Sequence, residues 1–546
     1  MLRILIVCVV LPFCCRSQTL KKYWVEFTDK NNSPYCTCHP GEFLSPRSIE
    51  RREKSGIEIV ENDLPVSADY LRALTDKGLQ IHGVSRWLNA ATVIADTTAI
   101  KTLSTLPFVR RTAYLGPHLK FRNPPNRPEK QRAIVLEYPN PGGLEYPLGY
   151  ATLQNSMLQV PSLYAAGHRG RGIWIAVMDG GFTNADTIPL FDSVAMQGRL
   201  HPGWDFVERD GGLYEGAAHG TSVLSVMATN LPGYFVGTAP DATYFLLKTE
   251  DTGGEYPIEE ANWIAGAEWA DSVGIDIINA SLGYTSFNDT TLSHRYADLN
   301  GHTAIGSRGA AIAATKGMII CNSAGNEGDG PWHYIGVPAD AEGIIAVGAL
   351  TGEGAHASFS SYGPTPDGRI KPDLSAPGED LVVAGNIGTD LGISSGTSLA
   401  SPLLAGAIAA FWSAFPEKNR DEILAAVFAS ADQHLQPDNA RGWGLPDLTK
   451  AWLNMGDFSG GNAPFSFDRD KGVLTLLFAL DDFNNGDSVI LRDAVGKEVA
   501  YVGAKICAHQ ISTLKIGGLE QLPAGTYTIQ LCNAHATESF VVAVWR

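Results

Sequence analysis

Gly172-Ile173-Trp174-Ile175-Ala176-Val177-Met178-Asp179-Gly180-Gly181 is the stretch that decides the fold. Its first seven residues are apolar on both faces, as a strand covered from both sides in a parallel sheet must be. An acid and two glycines then close the run. Similar short runs recur at Ile275-Asp276-Ile277-Ile278, Gly317-Met318-Ile319-Ile320 and Ile344-Ile345-Ala346-Val347. Between them the spacing predicts helices over residues 258–272 and 309–315. Strands alternating with helices predict an α/β fold around a central parallel sheet. Such sheets present reactive side chains at the carboxyl ends of their strands.

Upstream of this body, residues 117–150 hold Pro117, Pro124, Pro125, Pro128, Pro139, Pro141 and Pro147, with a basic group at Arg127, Lys130 and Arg132. That composition reads as an extended, protease-sensitive linker. Residues 18–116 read as a small mixed α+β domain. Tyr23-Trp24-Val25-Glu26-Phe27 alternates like a strand, and residues 68–77 carry Tyr70, Leu71 and Leu74 at helical spacing. Residues 87–94 suit another strand and residues 98–106 a second helix. Residues 1–17 combine Arg3, an apolar run from Ile4 to Phe13 and Cys14-Cys15-Arg16-Ser17. They read as a secretory signal peptide, too short in its apolar part to span a bilayer. After the body at 151–455, residues 456–546 change to short alternating runs at 473–478, 488–492, 526–531 and 540–544. Gly-containing turns separate them, a pattern that predicts a β-sandwich domain.

The chain of 546 residues is 44% hydrophobic and 18% charged, a folding composition too long for one core. Its net charge of -17 argues against nucleic acid as a partner, because phosphate binding needs clustered Lys and Arg. Residues 19–120 hold 14 basic and 11 acidic side chains, so a mildly basic front precedes a strongly acidic body. Opposite signs favour docking at contact range. Eight cysteines are too few for a disulfide scaffold. Cys36 and Cys38 stand too close for an easy mutual bridge, Cys507 and Cys532 fall on tail strands with their pairing open, and Cys321 reads as a buried free thiol.

Four segments carry candidate chemistry, each with a plainer alternative. Asp179 is presented at the sheet edge, as a reactive acid or as the cap of a turn. His219-Gly220-Thr221-Ser222 opens an apolar helix with a His that is either catalytic or simply structural or solvated. Asn322-Ser323-Ala324-Gly325-Asn326-Glu327-Gly328 follows a buried strand, where an Asn amide can donate to a developing oxyanion or simply make a turn. Ser394-Ser395-Gly396-Thr397-Ser398-Leu399-Ala400-Ser401-Pro402 enters the apolar run 403–415. Ser398 stands at that helix's N-terminus, where free N–H groups favour an anion, or serves as its cap. Pro402 suits a first helical turn.

Together, in the order Asp, His, Asn, Ser, these segments resemble the subtilisin-like serine proteases, or subtilases. The matching stretches are Asp179-Gly180-Gly181, His219-Gly220-Thr221, Ala324-Gly325-Asn326-Glu327-Gly328 and Gly396-Thr397-Ser398-Leu399-Ala400-Ser401-Pro402. Asn279-Ala280-Ser281-Leu282-Gly283, Phe359-Ser360-Ser361-Tyr362-Gly363, Lys371-Pro372-Asp373-Leu374-Ser375-Ala376-Pro377-Gly378 and Gly442-Trp443-Gly444-Leu445 support it. Ser222-Val223-Leu224-Ser225 and Leu399 depart from the usual pattern with changes that packing tolerates.

The resemblance implies a secreted serine endopeptidase made as a zymogen. Ser398 would be the nucleophile, His219 its base and Asp179 the group that orients the imidazole. Asn326 and the Ser398 backbone N–H would form an oxyanion hole. Ser281, Leu282 and Gly283 would be an edge strand pairing with extended peptide. Ala324, Gly325 and Gly336 would be walls and floor of the main pocket. Glycine at the floor suits a bulky apolar residue before the scissile bond, whereas Glu327 at the rim suits a basic one. The front domain resembles the family's propeptide, which inhibits the enzyme and templates its folding. The tail, with Leu491-Arg492-Asp493-Ala494-Val495-Gly496-Lys497-Glu498-Val499 and Leu522-Pro523-Ala524-Gly525-Thr526-Tyr527-Thr528-Ile529, resembles the C-terminal sorting domain of type IX secretion in Bacteroidota. That implies export through the secretion machinery of the outer membrane, to the medium or the cell surface of such a bacterium. Partners are then protein or peptide substrates, the chain's own propeptide and that machinery. No cofactor is required for the chemistry. Structural calcium is common among subtilases, but no residue here can be assigned to it. Two further readings stand beside this one: a surface binding or adhesion protein on an inactive protease scaffold, and a processing protease with a single partner protein.

Overall fold

The computed structural model describes residues 20–103, 105–118, 132–133, 148–385 and 387–455, together with strand residues of the tail. The expected signal segment, most of the linker and Cys507 lie outside the described residues.

Seven strands form the central sheet, in the order Leu374–Pro377, Ile345–Leu350, Ile319–Ser323, Ile277–Ala280, Trp174–Asp179, Thr243–Lys248 and Leu200–Asp205. Every neighbouring pair is parallel. Side chains alternate between two cores, as the two-residue period of a strand requires. Ile175, Val177, Ile277, Ile319 and Cys321 join the core beneath the helices His219–Ala228 and Thr397–Trp412. Ala176, Met178, Ile278 and Ile320 join the opposite core, beneath the helices Ile258–Val273 and Ile305–Ala314. Helices on both faces explain the unbroken apolar runs of the sequence. Cys321 is a buried free thiol, as expected, and burial pushes its pKa far up. Among the described residues no helix is long and apolar enough to cross a membrane.

The front residues fold into a four-stranded antiparallel sheet, in the order Gln80–Ser85, Ala90–Ala95, Lys21–Phe27 and Val109–Pro117. Residues 87–89, expected within a strand, instead make the turn before Ala90–Ala95. One face, with Tyr23, Val25 and Phe27, closes over Leu74, Ile100 and Leu103 from its own helices Ala68–Thr75 and Thr97–Leu103. The other face, with Trp24, Ala90 and Leu115, is buried in the core that also holds Ile258–Val273.

A helix not evident in the sequence, Pro46–Lys54, grips the end of Ile258–Val273. Ser45 N–H donates to Ser272 O at 2.9 Å and Ser45 Oγ to Val273 O at 2.7 Å. Arg47 Nε donates to Gly274 O at 3.0 Å. These donors supply what the last carbonyls of a helix lack, and the positive charge of Arg47 suits the helix C-terminus. At the centre is Asp271, fully buried, which pairs with Arg51 at 2.6 Å, Arg52 at 2.8 Å and Arg86 at 2.5 Å. Arg52 also pairs with buried Asp63 at 3.0 Å, and Lys316 reaches the same carboxylate at 2.8 Å. Nearby, Glu268 accepts from Ser85 Oγ and from the N–H groups of Arg86 and Trp87 at 2.6–3.1 Å. The basic front and acidic body thus meet through a few buried pairs.

Cys36 and Cys38 are joined in a disulfide, against the expectation from their spacing. With Thr37 between them the chain turns so that the Cα atoms are 5.2 Å apart, inside the range a disulfide spans. The tail forms a three-stranded and a four-stranded antiparallel sheet. Phe465–Asp468, Glu498–Gly503 and Ser512–Ile516 supplement the four strands read from the sequence.

Removing one member of a buried ion pair costs about 3–5 kcal/mol, because the other charge stays buried and unpaired. D271A in the full-length chain is therefore expected to shift the urea midpoint clearly downward. An unchanged midpoint would show that the arginines find water or other acceptors at no cost.

Candidate active site

Acid, imidazole and hydroxyl arrive from three elements. Asp179 is the last residue of its strand and only 1% exposed. Its Oδ1 accepts from Gly180 N–H at 2.8 Å, and its Oδ2 lies 2.8 Å from His219 Nδ1. A carboxylate there makes Nδ1 the protonated nitrogen of a neutral imidazole, which leaves Nε2 to accept. His219 is the first residue of its helix, and the next residue has no room for a side chain. A Cβ on Gly220 would stand 2.3 Å from Gly181 O and 2.9 Å from Asp179 Cβ. Glycine is what lets this helix approach the acid.

Ser398 is the second residue of the helix Thr397–Trp412, where unpaired N–H groups and the macrodipole favour negative charge. Pro402, expected in the first turn, is the sixth residue of that helix, so it fails to donate to a carbonyl that would otherwise be paired. That carbonyl belongs to Ser398. Ser281 Oγ donates to it instead, at 2.7 Å. Ser281 is held in turn by Asn279 Nδ2 at 3.1 Å, and Asn279 Oδ1 accepts from Ser401 Oγ at 2.8 Å. Ser398 Oγ donates to Ser281 O at 3.3 Å, a long bond.

Asn326 Oδ1 accepts from Thr397 N–H at 2.8 Å and from Thr397 Oγ1 at 2.9 Å. Two donors on one end assign that end as oxygen and leave Nδ2 as the donating end. Thr397 Oγ1 also accepts from Gly325 N–H at 3.2 Å. Thr397, Asn279 and Ser401 were given no role by the sequence, although all three lie inside quoted stretches.

Asp179, His219, Asn326 and Ser398 line one cleft of about 1100 Å³, together with Ser281, Leu282, Gly283, Gly325 and Gly336. Ala324 does not share the lining: it is fully buried, donating to Val347 O at 3.0 Å and accepting from Gly336 N–H at 3.3 Å. Leu282 O turns inward to Asn322 Nδ2 and Ser323 Oγ, at 2.9 and 3.0 Å.

Two lining residues missed in the sequence are Glu250 and Glu259. Tyr284 Oη donates to Glu250 Oε1 at 2.6 Å, while Glu259 accepts from the N–H groups of Asp251 and Tyr256 at 3.0 and 3.1 Å. Desolvation first, and neighbouring carboxylates after it, push Glu250 up to about 8 and Glu259 well above the ordinary carboxylate range. No motif marks them, because Tyr284 lies in a remote loop and the partners of Glu259 are backbone N–H groups, which any residue type can supply. Among the described residues, Cys36, Cys38 and His39 have the closeness a metal requires, with ligand atoms within 4.8 Å of one another. Their sulfurs are bonded to each other and so offer no thiolate.

The subtilase family model matches residues 170–444, and the model of the peptidase S8 propeptide domain of Bacteroidota matches residues 22–132. Subtilisin NAT from Bacillus subtilis subsp. natto is 30% identical over 64% of this chain and 77% of its own length. Subtilisin from Bacillus pumilus is 32% identical over 48% of this chain and 84% of its own.

The raised Glu250 has a signed consequence. From pH 4.5, its ordinary value, to about 8, the folded chain holds a proton that the unfolded chain has released. Stability therefore falls as pH rises through that window. In an S398A background, which removes the candidate nucleophile, the thermal midpoint should fall from pH 5.5 to 8.5, and less so when E250Q is added. Identical slopes with and without E250Q would refute the assignment.

Proposed function

The chain belongs to the subtilase family and is a serine endopeptidase with a propeptide, and from that premise we propose that Asp179, His219 and Ser398 are its catalytic triad. Its substrates are proteins. The observation that carries the proposal is the 2.8 Å contact between His219 Nδ1 and buried Asp179, in one cleft with Ser398.

In this reading, rotation about the Ser398 Cα–Cβ bond exchanges the long bond to Ser281 O for one to His219 Nε2. The hydroxyl oxygen attacks the scissile carbonyl carbon while Nε2 takes its proton. Asp179 stabilises the imidazolium so formed. The carbonyl oxygen becomes negative, facing Asn326 Nδ2 and the Ser398 N–H, donors already held in place by Thr397 and the helix start. The imidazolium then protonates the leaving amine, and the C–N bond breaks. Water, deprotonated by the same nitrogen, hydrolyses the ester and restores Ser398.

We further propose that the front residues hold the enzyme as a zymogen until the linker is cut. The match to a propeptide model and the buried grip on Asp271 support this. The signal-like start and the Bacteroidota propeptide match support an extracellular enzyme. The tail's sorting-like stretches support export by type IX secretion, with release or surface attachment to follow.

Intact mass and N-terminal sequencing test the triad. Wild type is expected to lose its front segment by a cut between about residues 115 and 145. S398A should keep it and take no serine-directed fluorophosphonate label. Processing and labelling of S398A like wild type would sink Ser398 as nucleophile. N326A should lower kcat by about 10²–10³ with little change in KM, since its amide acts on charge present only in the transition state.

A further inference from the structure

The bridge between Cys36 and Cys38 contributes little as a staple. It encloses a single residue, Thr37, and so short a loop removes far less entropy from the unfolded chain than a long one. Its surroundings are held by other bonds. Ser45 Oγ accepts from Ser48 N–H at 3.1 Å and caps the helix Pro46–Lys54. Phe43 N–H and Leu44 N–H both donate to Pro40 O, at 3.1 and 2.8 Å. Tyr35 meets Phe43 edge to face across the loop, with ring centroids 6.1 Å apart. The bridge can therefore open while the loop keeps its course.

Its setting suits chemistry better. Cys38 is exposed and Cys36 half-buried, so a thiol arriving from solvent meets the Cys38 sulfur first. His39 is exposed beside them. Its Nδ1 lies 3.6 Å from Cys36 Sγ and 3.7 Å from Cys38 Sγ. The turn that brings it there is closed by its own N–H, which donates to Cys36 O at 3.2 Å. One imidazole nitrogen is thus within reach of whichever sulfur leaves. Thiol–disulfide exchange is faster when the departing sulfur is the better-stabilised thiolate, and a protonated imidazole alongside supplies that stabilisation.

We propose that Cys36–Cys38 is a thiol–disulfide exchange site, with His39 as its proton donor, that oxidises accessible pairs of thiols. The site lies in the front domain and is independent of the protease reading. A thiolate of the partner attacks Cys38 Sγ. The bond between the two sulfurs breaks, and Cys36 leaves as a thiolate that takes a proton from His39. A mixed disulfide now joins the partner to Cys38. The partner's second thiolate attacks the partner sulfur of that mixed disulfide, a disulfide forms within the partner, and Cys38 leaves as a thiolate. The partner's thiols give up two electrons and two protons, and Cys36 and Cys38 receive them.

The test uses the full-length S398A chain, chosen to retain the front segment, in EDTA to exclude metal ions. It is incubated with dithiothreitol or with reduced, unfolded ribonuclease A, quenched in acid, alkylated and digested. Mass spectrometry then follows the peptide that holds both Cys36 and Cys38, which keeps Cys321, Cys507 and Cys532 out of the count. The bridge should open about tenfold faster or more than glutathione disulfide does under the same thiol. H39Q should slow that opening by about fivefold or more, and H39A, at the same exposed position, serves if H39Q does not fold. Exchange with dithiothreitol alone assigns small thiols as the partners, and exchange with ribonuclease as well assigns protein thiols. A bridge that stays closed to both, opens no faster than glutathione disulfide, or ignores the loss of His39 overturns the proposal.

Discussion

Seven parallel strands can end only along one edge, and the candidate site depends on that constraint. Asp179 closes one strand, while Ser281, Asn326 and Glu250 follow the ends of three others. Residues that lie far apart in the chain are therefore brought to one cleft without long connecting arms. The helices that pack on the sheet supply the remaining groups from their first residues, His219 and Ser398. Glycine at position 220 and a missing N–H at position 402 are local costs that this convergence demands.

The front sheet is fastened by a different physics. Its apolar face supplies area, but Asp271 supplies direction, since three guanidinium groups must converge on one buried carboxylate. Such pairs contribute little net stability against an apolar substitute and much register, because a misplaced charge has no water to fall back on. The same polarity continues past the interface. Cationic residues follow the front sheet in the chain, and carboxylates line the cleft of the acidic body.

Much of this was legible in the amino-acid order. A strand that is apolar on both faces announces helices on both sides, and Asp179, His219, Asn326 and Ser398 stand in stretches that short-range reading can find. What escaped it was long-range. Arg51 and Arg52 belong to a nine-residue helix whose one large apolar side chain is Ile49, and their partner lies about 220 residues away, so the segment reads as a solvated surface. Glu250 and Glu259 differ from other acids only through the loops that cover them. Cys36 and Cys38 were misjudged because spacing alone ignores the turn made at Thr37. Pro402 was misplaced by one turn, and the partner of the carbonyl it frees, Ser281, sits 117 residues upstream of Ser398.

That freed carbonyl changes how the nucleophile's turn moves. In an ordinary helix the Ser398 carbonyl would be tied to its own next turn and would fray with it. Here it is tied to Ser281, at the end of the strand Ile277–Ala280, while Ser398 Oγ touches the Ser281 carbonyl. Thermal swaying of the helix therefore carries the hydroxyl along with the cleft wall. The gap between them stays nearly constant as both drift, so the spacing on which ångström-level chemistry depends is preserved by shared motion, without stiffness of the helix itself.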